Sequence, residues 1–313
     1  MADSTRPKPR ILCSGIAVHD IVMRVQNFPE PGTKVHASDF IITGGGCAAN
    51  AAVAIARLGG DTRFAGPLGG DTDAISTRII SDLAAEGINC SGVERVRNGT
   101  ASVSLILLDG QGEKTIATRR GTQLGDNLPA DAQKLVAGVD AVLVDNRFPE
   151  FVSAVCRAAS TRKIPIVIDL DQRTRLDDPL LALGTHVIAS SEASRGSTGV
   201  SDLVEALRLL REHLDCFIAI TDGPNGVHWL ERNDVRHMPA FRIEAVDSLA
   251  AGDIFHGAFT LALAEGRNEV EAMQFGSAAA ALKCMRFGGA SGAPTRAQVD
   301  DFLNRHPVGC TSN

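Results

Sequence analysis

The sequence predicts an α/β protein of three layers, a mainly parallel sheet between two helical layers, with a small β-sheet lid attached. Three observations predict it. Short apolar runs alternate with helical patterns along most of the chain, the signature of parallel strands joined by crossover helices. Two stretches, Val35 to Thr43 and Ala101 to Thr118, break that alternation and read as antiparallel strands. No internal repeat, low-complexity segment or linker divides the 313 residues.

Met1 to Arg10 is polar, holds two prolines and three basic residues, and reads as a loose lead-in. The run ILCSGIAV from Ile11 opens the first strand. The Ala-rich segment Ala48 to Leu58 predicts a helix, Arg63 to Gly66 a strand, and Thr72 to Glu86 a second helix. Within Ala101 to Thr118 the runs ASVSLILL and EKTIAT flank the turn Asp109-Gly110-Gln111-Gly112 and predict a hairpin, either a flap over a ligand or a cover for a sheet edge. Strands follow near Ala141 to Asp145, Pro165 to Asp169, His186 to Ala189 and Cys216 to Thr221. Helices are predicted over Glu150 to Arg162, Ser201 to Leu214, Gly252 to Glu265 and Asn268 to Met285.

Composition narrows the function classes. With 37 acidic and 31 basic residues the formal charge is −6, so the chain offers no cationic footprint for nucleic acid or an anionic membrane. Aromatics are scarce, with 12 Phe, one Trp and no Tyr, which disfavours base-stacking platforms. The seven cysteines lie far apart without a C-x-x-C pair and read as reduced thiols rather than a disulfide framework or zinc site. No segment reaches the roughly 18 apolar residues of a membrane span, and none near the N-terminus resembles a signal peptide. A cytoplasmic location is expected.

Three glycine-bearing segments carry candidate chemistry. Gly44-Gly45-Gly46 precedes the helix that contains Asn50 and formally fits G-x-G-x-x-A. A dinucleotide site needs an acid about 20 residues on at a strand end; position 64 is Phe, so that reading is poorly supported. The glycines let backbone approach a polar ligand, and Asn50 offers donor and acceptor; a plain tight turn remains the alternative. Asp247 to Gly257 leads small residues into a helix start, where amides form an anion hole and Asp253 can take a proton from an attacking hydroxyl. A simple N-capping acid is the alternative there. Thr221 to Gly226 is a turn at the carboxyl end of a strand, where α/β folds bind ligands and where ordinary turns also occur. No Walker A sequence is present.

Together, in this order, the three segments make the chain resemble the ribokinase-like sugar kinases of the PfkB family from Ile11 to about Leu303. The resemblance implies a kinase domain over residues 11–305, with lid segments near 21–43 and 101–118 and flexible termini at 1–10 and 306–313. It implies that Asp253 is the catalytic base and that Ala250, Ala251 and Gly252 supply the anion hole. Sugar hydroxyls would meet Asp20, Gly45, Gly46 and Asn50. ATP would meet Ser190, Thr221, Gly223 and Gly226, with Ser277 near the adenine. The backbone around Asp247, Leu249, Arg286 and Gly288 looks like the cation loop of potassium-activated members. The family's Asn-x-x-Glu, which orders Mg²⁺-bound water, is replaced by Ser190-Ser191-Glu192-Ala193, leaving Glu192 as the substitute at a different offset. Lid strands of such kinases often pair, which implies a homodimer.

Substrate expectations follow from Arg147, which stands where ribokinases place a Glu that contacts a neutral sugar. A cation there points to an anionic substituent, with Lys34, Arg119 and Arg120 as further candidates, each of which also suits a solvated surface. The segments Gly32 to Lys34, Asp145 to Arg147, PAFRIEAVDSLAAGDIFHGAF and AAALKCMRFGGASG look most similar to bacterial sulfofructose kinases, although Thr118 stands where those have Asn. The expected activity is ATP- and Mg²⁺-dependent phosphorylation of a 6-anionic ketohexose, 6-deoxy-6-sulfofructose first and fructose 6-phosphate next. A neutral-sugar kinase, a non-catalytic sugar sensor and a nicotinamide-dependent reductase are the alternatives.

Overall fold

In the computed structural model, which describes residues 7–232, 234–306 and 311–312, the first strand β1 (Arg10–Ser14) lies inside the main sheet, third from one edge. The chain then leaves that sheet to form β2 (Val18–Arg24) and β3 (Asp39–Gly45), and returns through helix α1 (Cys47–Arg57). Strand β4 (Asp61–Gly69), α2 (Ala74–Ala85) and β5 (Asn89–Val96) follow, then a second pair outside the sheet, β6 (Ser102–Leu108) and β7 (Lys114–Arg119). The second half runs α3 (Ala132–Leu135), β8 (Ala141–Asp145), α4 (Pro149–Thr161), β9 (Ile166–Leu170), β10 (His186–Ser190), α5 (Ser191–Thr198), α6 (Leu203–His213) and β11 (Phe217–Thr221). It closes with β12 (Val227–Glu231), β13 (Asp234–Met238), α7 (Ala251–Ala264), α8 (Glu269–Cys284), α9 (Arg296–Arg305) and β14 (Thr311–Ser312).

The main sheet has the order β14-β13-β12-β11-β10-β9-β8-β1-β4-β5, parallel from β11 to β5 and antiparallel at the β12 to β14 edge. Strand order reverses between β1 and β8: β1, β4 and β5 are laid down one way, β8 to β11 the other. A crevice therefore opens at the carboxyl ends of β1 and β8, where such sheets bind ligands. Central strands are apolar on both faces, as burial under two helical layers requires. One core packs α1, α7 and α8 on one face, and a second packs α4 and α6 on the other. Small alanines let α1 run close under α7; nine of its eleven residues are buried.

The lid is a four-stranded sheet of order β3-β2-β6-β7, with β2 parallel to β6 and the other pairs antiparallel. Asp73, the N-cap of α2, also accepts a hydrogen bond from Ala101 N at 2.8 Å and so anchors the entry to β6. Within the lid the pleat sorts side chains: Asp20, Thr43, Ser104 and Thr118 face one way, Ile21, Ile42, Leu105 and Ala117 the other.

The expected strands and helices all have counterparts, whereas α3, β5, β12, β13, α5 and α9 occupy segments to which sequence reading assigns no element, β2 lies where only a lid segment is expected, and β14 falls in a terminus expected to be flexible. Of the termini expected to be flexible, residues 1–6, 307–310 and 313 lie outside the described residues. Pro9 and Arg10 are tied down, since Asp61 N donates to Pro9 O and Arg10 N to Asp140 Oδ2. Six cysteines are described, all free thiols; Cys310 lies outside the described residues. Among the described residues no helix is long and apolar enough to cross a membrane.

Candidate active site

Asp145 ends β8 at the point where the strand order reverses. Its Oδ2 accepts from Ile16 N at 2.8 Å and Ala48 N at 3.0 Å, and its Oδ1 from Arg147 N at 3.0 Å. Burial pushes its pKa up to about 6 against the pull of these amides and of the Arg147 charge. The carboxylate thus joins three segments, the exit from β1, the start of α1 and the exit from β8.

The floor of the crevice comes from the β3-to-α1 turn. Gly46 has φ 93°, and a Cβ there would lie 2.6 Å from Ile16 O; a Cβ at Gly45 would fall 2.0 Å from Asp20 Oδ2. Neither position tolerates a side chain, which explains the second and third glycines of the run. Asn50, in the first turns of α1, donates from Nδ2 to Asp253 Oδ2 at 2.7 Å. Asp20 reaches in from β2, bonded to Ser104, and burial raises its pKa to about 6, with the nearby Asp253 charge adding to the rise. Asp20, Gly45, Gly46, Asn50 and Asp253 therefore meet in one place, although they come from β2, the glycine turn, α1 and α7.

Asp253 lies in the first turn of α7, whose N-cap is Ala250 in a left-handed conformation, φ 64°, with no side-chain cap. Ala251 N turns back to Ser248 O at 3.3 Å, while helix geometry leaves the amides of Gly252 and Asp253 without intrahelical acceptors. Among the described residues, no atom outside its chain neighbours and its own helix backbone lies within 4 Å of where a Cβ would stand on Gly252. These amides, with the helix dipole behind them, suit a phosphoryl oxygen. Burial, and the charge of Asp171, raise the pKa of Asp253, while its bond from Asn50 and the ammonium of Lys114 oppose the rise.

Around Asp253 stands a dense acidic group. Ligand atoms of Cys47, Asp169 and Asp253 lie within 4.8 Å of one another. A thiol is a poor partner for Mg²⁺, so this trio does not form a magnesium site. Burial lifts the Asp169 pKa well above the ordinary range, and burial does the same to the Cys47 thiol. His256 Nδ1, 3.4 Å from Asp169 Oδ2 and 2.8 Å from Gly252 O, is driven down to about 4 by burial and stays neutral at pH 7. Arg147 pairs with Asp171 beside this group, and its buried Nε has no hydrogen-bond partner among the described residues.

The carboxyl ends of β10 and β11 adjoin, with Ser190 in register with Thr221. Ser190 caps α5, accepting from Ala193 N at 3.0 Å, and Ser191 bonds Asp222. Gly223 opens the short turn to Asn225, and Gly226 ends it. Glu192 is exposed in the first turn of α5 and makes no hydrogen bond or ion pair among the described residues. Ser277 is half-buried in the middle of α8, on a different element from this turn.

The remaining expected residues are distributed as follows. Lys34 is exposed in the loop between β2 and β3. Arg119 lies on the lid face opposite Thr118 and donates to Thr100 Oγ1 at 3.2 Å, so it does not join Arg147; Arg120 is exposed just beyond β7. Asp247 is fully buried, accepts from Leu249 N at 2.8 Å and Gly288 N at 2.9 Å, and adjoins Lys283; Arg286 donates to Gln298 Oε1 at 3.2 Å. Sequence reading missed Asp145, Asp169, Asp171, Cys47, Lys114, Lys283 and His256. The acids at the ends of β8 and β9 were accessible as polar residues closing fully apolar runs at the sheet's carboxyl edge.

The chain matches the family model for pfkB family carbohydrate kinases over residues 8–296. It is 31% identical over 289 residues to the ribokinase of Bacillus subtilis, covering 91% of this chain and 96% of that one. An ATP-dependent ribose-1-phosphate kinase of Halopiger xanaduensis is 26% identical, with 94% and 98% covered. The solved structure of a candidate ribokinase from Agrobacterium tumefaciens superposes with a TM-score of 0.90 at 36% identity, covering 96% and 98%.

Proposed function

Because the chain belongs to the pfkB family of carbohydrate kinases, we propose a substrate class for it: a ketohexose with an anionic group on carbon 6. The enzyme is a phosphotransferase with an alcohol acceptor and uses ATP with Mg²⁺. Among candidate acceptors 6-deoxy-6-sulfofructose stands first and fructose 6-phosphate next. The observation that carries this reading is Arg147, a partly buried guanidinium at the carboxyl end of β8, beside the sugar floor and with a donor still unpartnered.

In this reading Asp20 and Asn50 orient the sugar hydroxyls, and Asp253 takes the proton of the primary hydroxyl. That oxygen forms a bond to the γ-phosphorus as the bond from γ-phosphorus to the β,γ-bridging oxygen breaks, releasing ADP. Ala250 and Ala251 shape the turn whose open amides, at Gly252 and Asp253, steady the phosphoryl oxygens, and Ser190, Thr221, Gly223 and Gly226 line the nucleotide, with Ser277 towards the adenine. Glu192 would hold Mg²⁺ through water; bound magnesium neutralises phosphate charge. Lys34 and Arg120 would extend the anion subsite from the lid. The domain spans 11–305 in a cytoplasmic homodimer, two copies meeting on the apolar lid face of Ile42 and Leu105.

A neutral-sugar kinase, for ribose or fructose, is the second reading. It is favoured by the Arg147–Asp171 ion pair, which already neutralises the cation, and by the similarity to ribokinases. ADP release over a panel of sulfofructose, fructose 6-phosphate, fructose and ribose separates the two. Turnover of one anionic ketose that collapses in Arg147→Ala supports the first; turnover of neutral sugars only, indifferent to Arg147→Ala, overturns it in favour of the second.

A further inference from the structure

A potassium loop of the kind expected around Asp247 needs oxygen ligands that are free to face a cation. The donors here do not fit one. Lys283 rises from the last turn of α8 and donates from Nζ to the Asp247 carbonyl at 2.7 Å, with Asp247 Oδ2 at 3.0 Å. Both side chains are wholly buried. The same Oδ2 accepts from Gly288 N and Gly289 N at 2.9 and 3.0 Å, and Oδ1 accepts from Leu249 N. Val246 N and Asp247 N both donate to Cys284 O, at 2.8 and 3.0 Å, so the loop is stitched directly to the end of α8.

A lone ammonium in such a place would be prohibitively desolvated; it is held because a carboxylate and a carbonyl face it. Burial acts to raise the Asp247 pKa, but the Lys283 charge and the amides of Gly289 and Leu249 outweigh it and hold the carboxyl below its ordinary value. Only Ser248 and Leu249 separate Asp247 from the left-handed Ala250 that starts α7, so whatever fixes Asp247 also fixes the amides at the start of that helix.

We infer that the Lys283 ammonium stands in place of a monovalent cation at the junction of the 247–250 loop with the end of α8. Turnover is then independent of potassium, and Lys283 is a positioning residue that acts through Asp247. The inference rests on the kinase activity but not on which sugar is the substrate.

The test compares the wild type and Lys283→Ala in potassium, sodium and tetramethylammonium buffers of equal ionic strength, using whichever sugar turns over. The wild type should vary by less than about twofold across the three, a difference under ~0.4 kcal/mol. In tetramethylammonium Lys283→Ala should lose kcat with sugar KM little changed, and potassium should restore it several-fold, a rescue that a merely structural lysine would not give. Wild-type turnover that rises several-fold with potassium overturns the inference.

A second arm needs no substrate and stands even if the variant does not fold. Crystals of the wild type soaked in thallium(I) should show no anomalous density within ligand distance of Asp247. Density there overturns the inference whatever the kinetics of any sugar, whereas silence across the sugar panel would count only against the substrate proposal.

Discussion

Asn50 Nδ2 and Asp253 Oδ2, 203 residues apart in sequence, are joined by a 2.7 Å hydrogen bond that ties the first turns of α1 and α7 together. The Cys47 thiol also hydrogen-bonds this carboxyl. The bond from Asn50 orients the Asp253 carboxylate while opposing the rise in its pKa that burial causes.

Asp253→Asn should keep this geometry but cannot take the proton. We predict a fall in kcat of about 10²- to 10⁴-fold with sugar affinity little altered. Steady-state kinetics together with sugar binding by calorimetry checks it; unchanged kcat would remove Asp253 from the chemistry.

Arg147 and Asp171 make opposite predictions. Loss of a charge-assisted hydrogen bond of about 1.5–3 kcal/mol in Arg147→Ala should reduce kcat/KM for the anionic ketose about 10- to 150-fold and leave neutral sugars nearly unaffected. Asp171→Asn frees the guanidinium, so KM for the same ketose should fall. A KM that rises in Asp171→Asn would mean that the pair, not the free cation, builds the subsite.

The pH profile follows from two raised carboxyls. Asp20, at about 6, and Asp253, also raised, must both be ionised, so kcat/KM should drop as pH falls through about 6. Stability moves the other way. Asp20 and Asp145 have folded pKa values near 6 against 3.8 unfolded, so the folded state binds protons first and gains stability as pH falls from above 6 towards 4, about 3 kcal/mol for each full shift. Asp169 adds to this; His256, depressed to about 4, loses stability as pH falls from about 6.5 to 4, by a similar amount. Raised carboxyls outnumber it, so the Tm of the ligand-free protein should be higher at pH 5 than at pH 7. Scanning calorimetry at the two values checks the sign.

Ala250→Gly relieves a left-handed alanine at φ 64°. Strain of about 1–2 kcal/mol is partly offset by the greater backbone entropy of glycine in the unfolded chain, for a net gain of up to about 1 kcal/mol and a Tm rise of about 2–3 °C. Activity should stay within about twofold. A lower Tm would show that the alanine methyl contributes more packing than strain.

On the lid, Ile42 and Leu105 are 49% and 43% exposed on the face turned away from Asp20. A second copy covering them predicts a dimer by sedimentation velocity, and monomers for Ile42→Asp with Leu105→Asp. Monomeric wild type would leave that apolar face without its assigned partner.

Much of this site was legible because the residues sit where local rules act. Gly45 and Gly46 mark a turn that no side chain can enter, Asn50 and Asp253 fall in first helical turns, and both are visible as breaks between a strand pattern and a helix pattern. What escaped depends on strand order. Asp145 and Asp169 each end or nearly end an apolar strand, and only the reversal between β1 and β8 shows that these ends share a crevice. Lys114 and Lys283 look like ordinary charged positions in a strand and a helix; the charge each one meets lies on a remote segment. Arg119 shows the reverse error, since a pleat of period two turns it away from its neighbour Thr118.

The packing of α1 beneath α7 also constrains biosynthesis. Nine of eleven α1 residues are buried in a core that includes Ile254, Ala258 and Phe259 of α7, which the ribosome delivers some 200 residues later. Until then a nascent chain displays a bare alanine-rich ridge, a natural client surface for chaperones, and lacks Asp253, the acid of the proposed phosphoryl transfer. A polypeptide stalled before residue 253 is therefore both sticky and catalytically silent, and activity can appear only once the final third has docked.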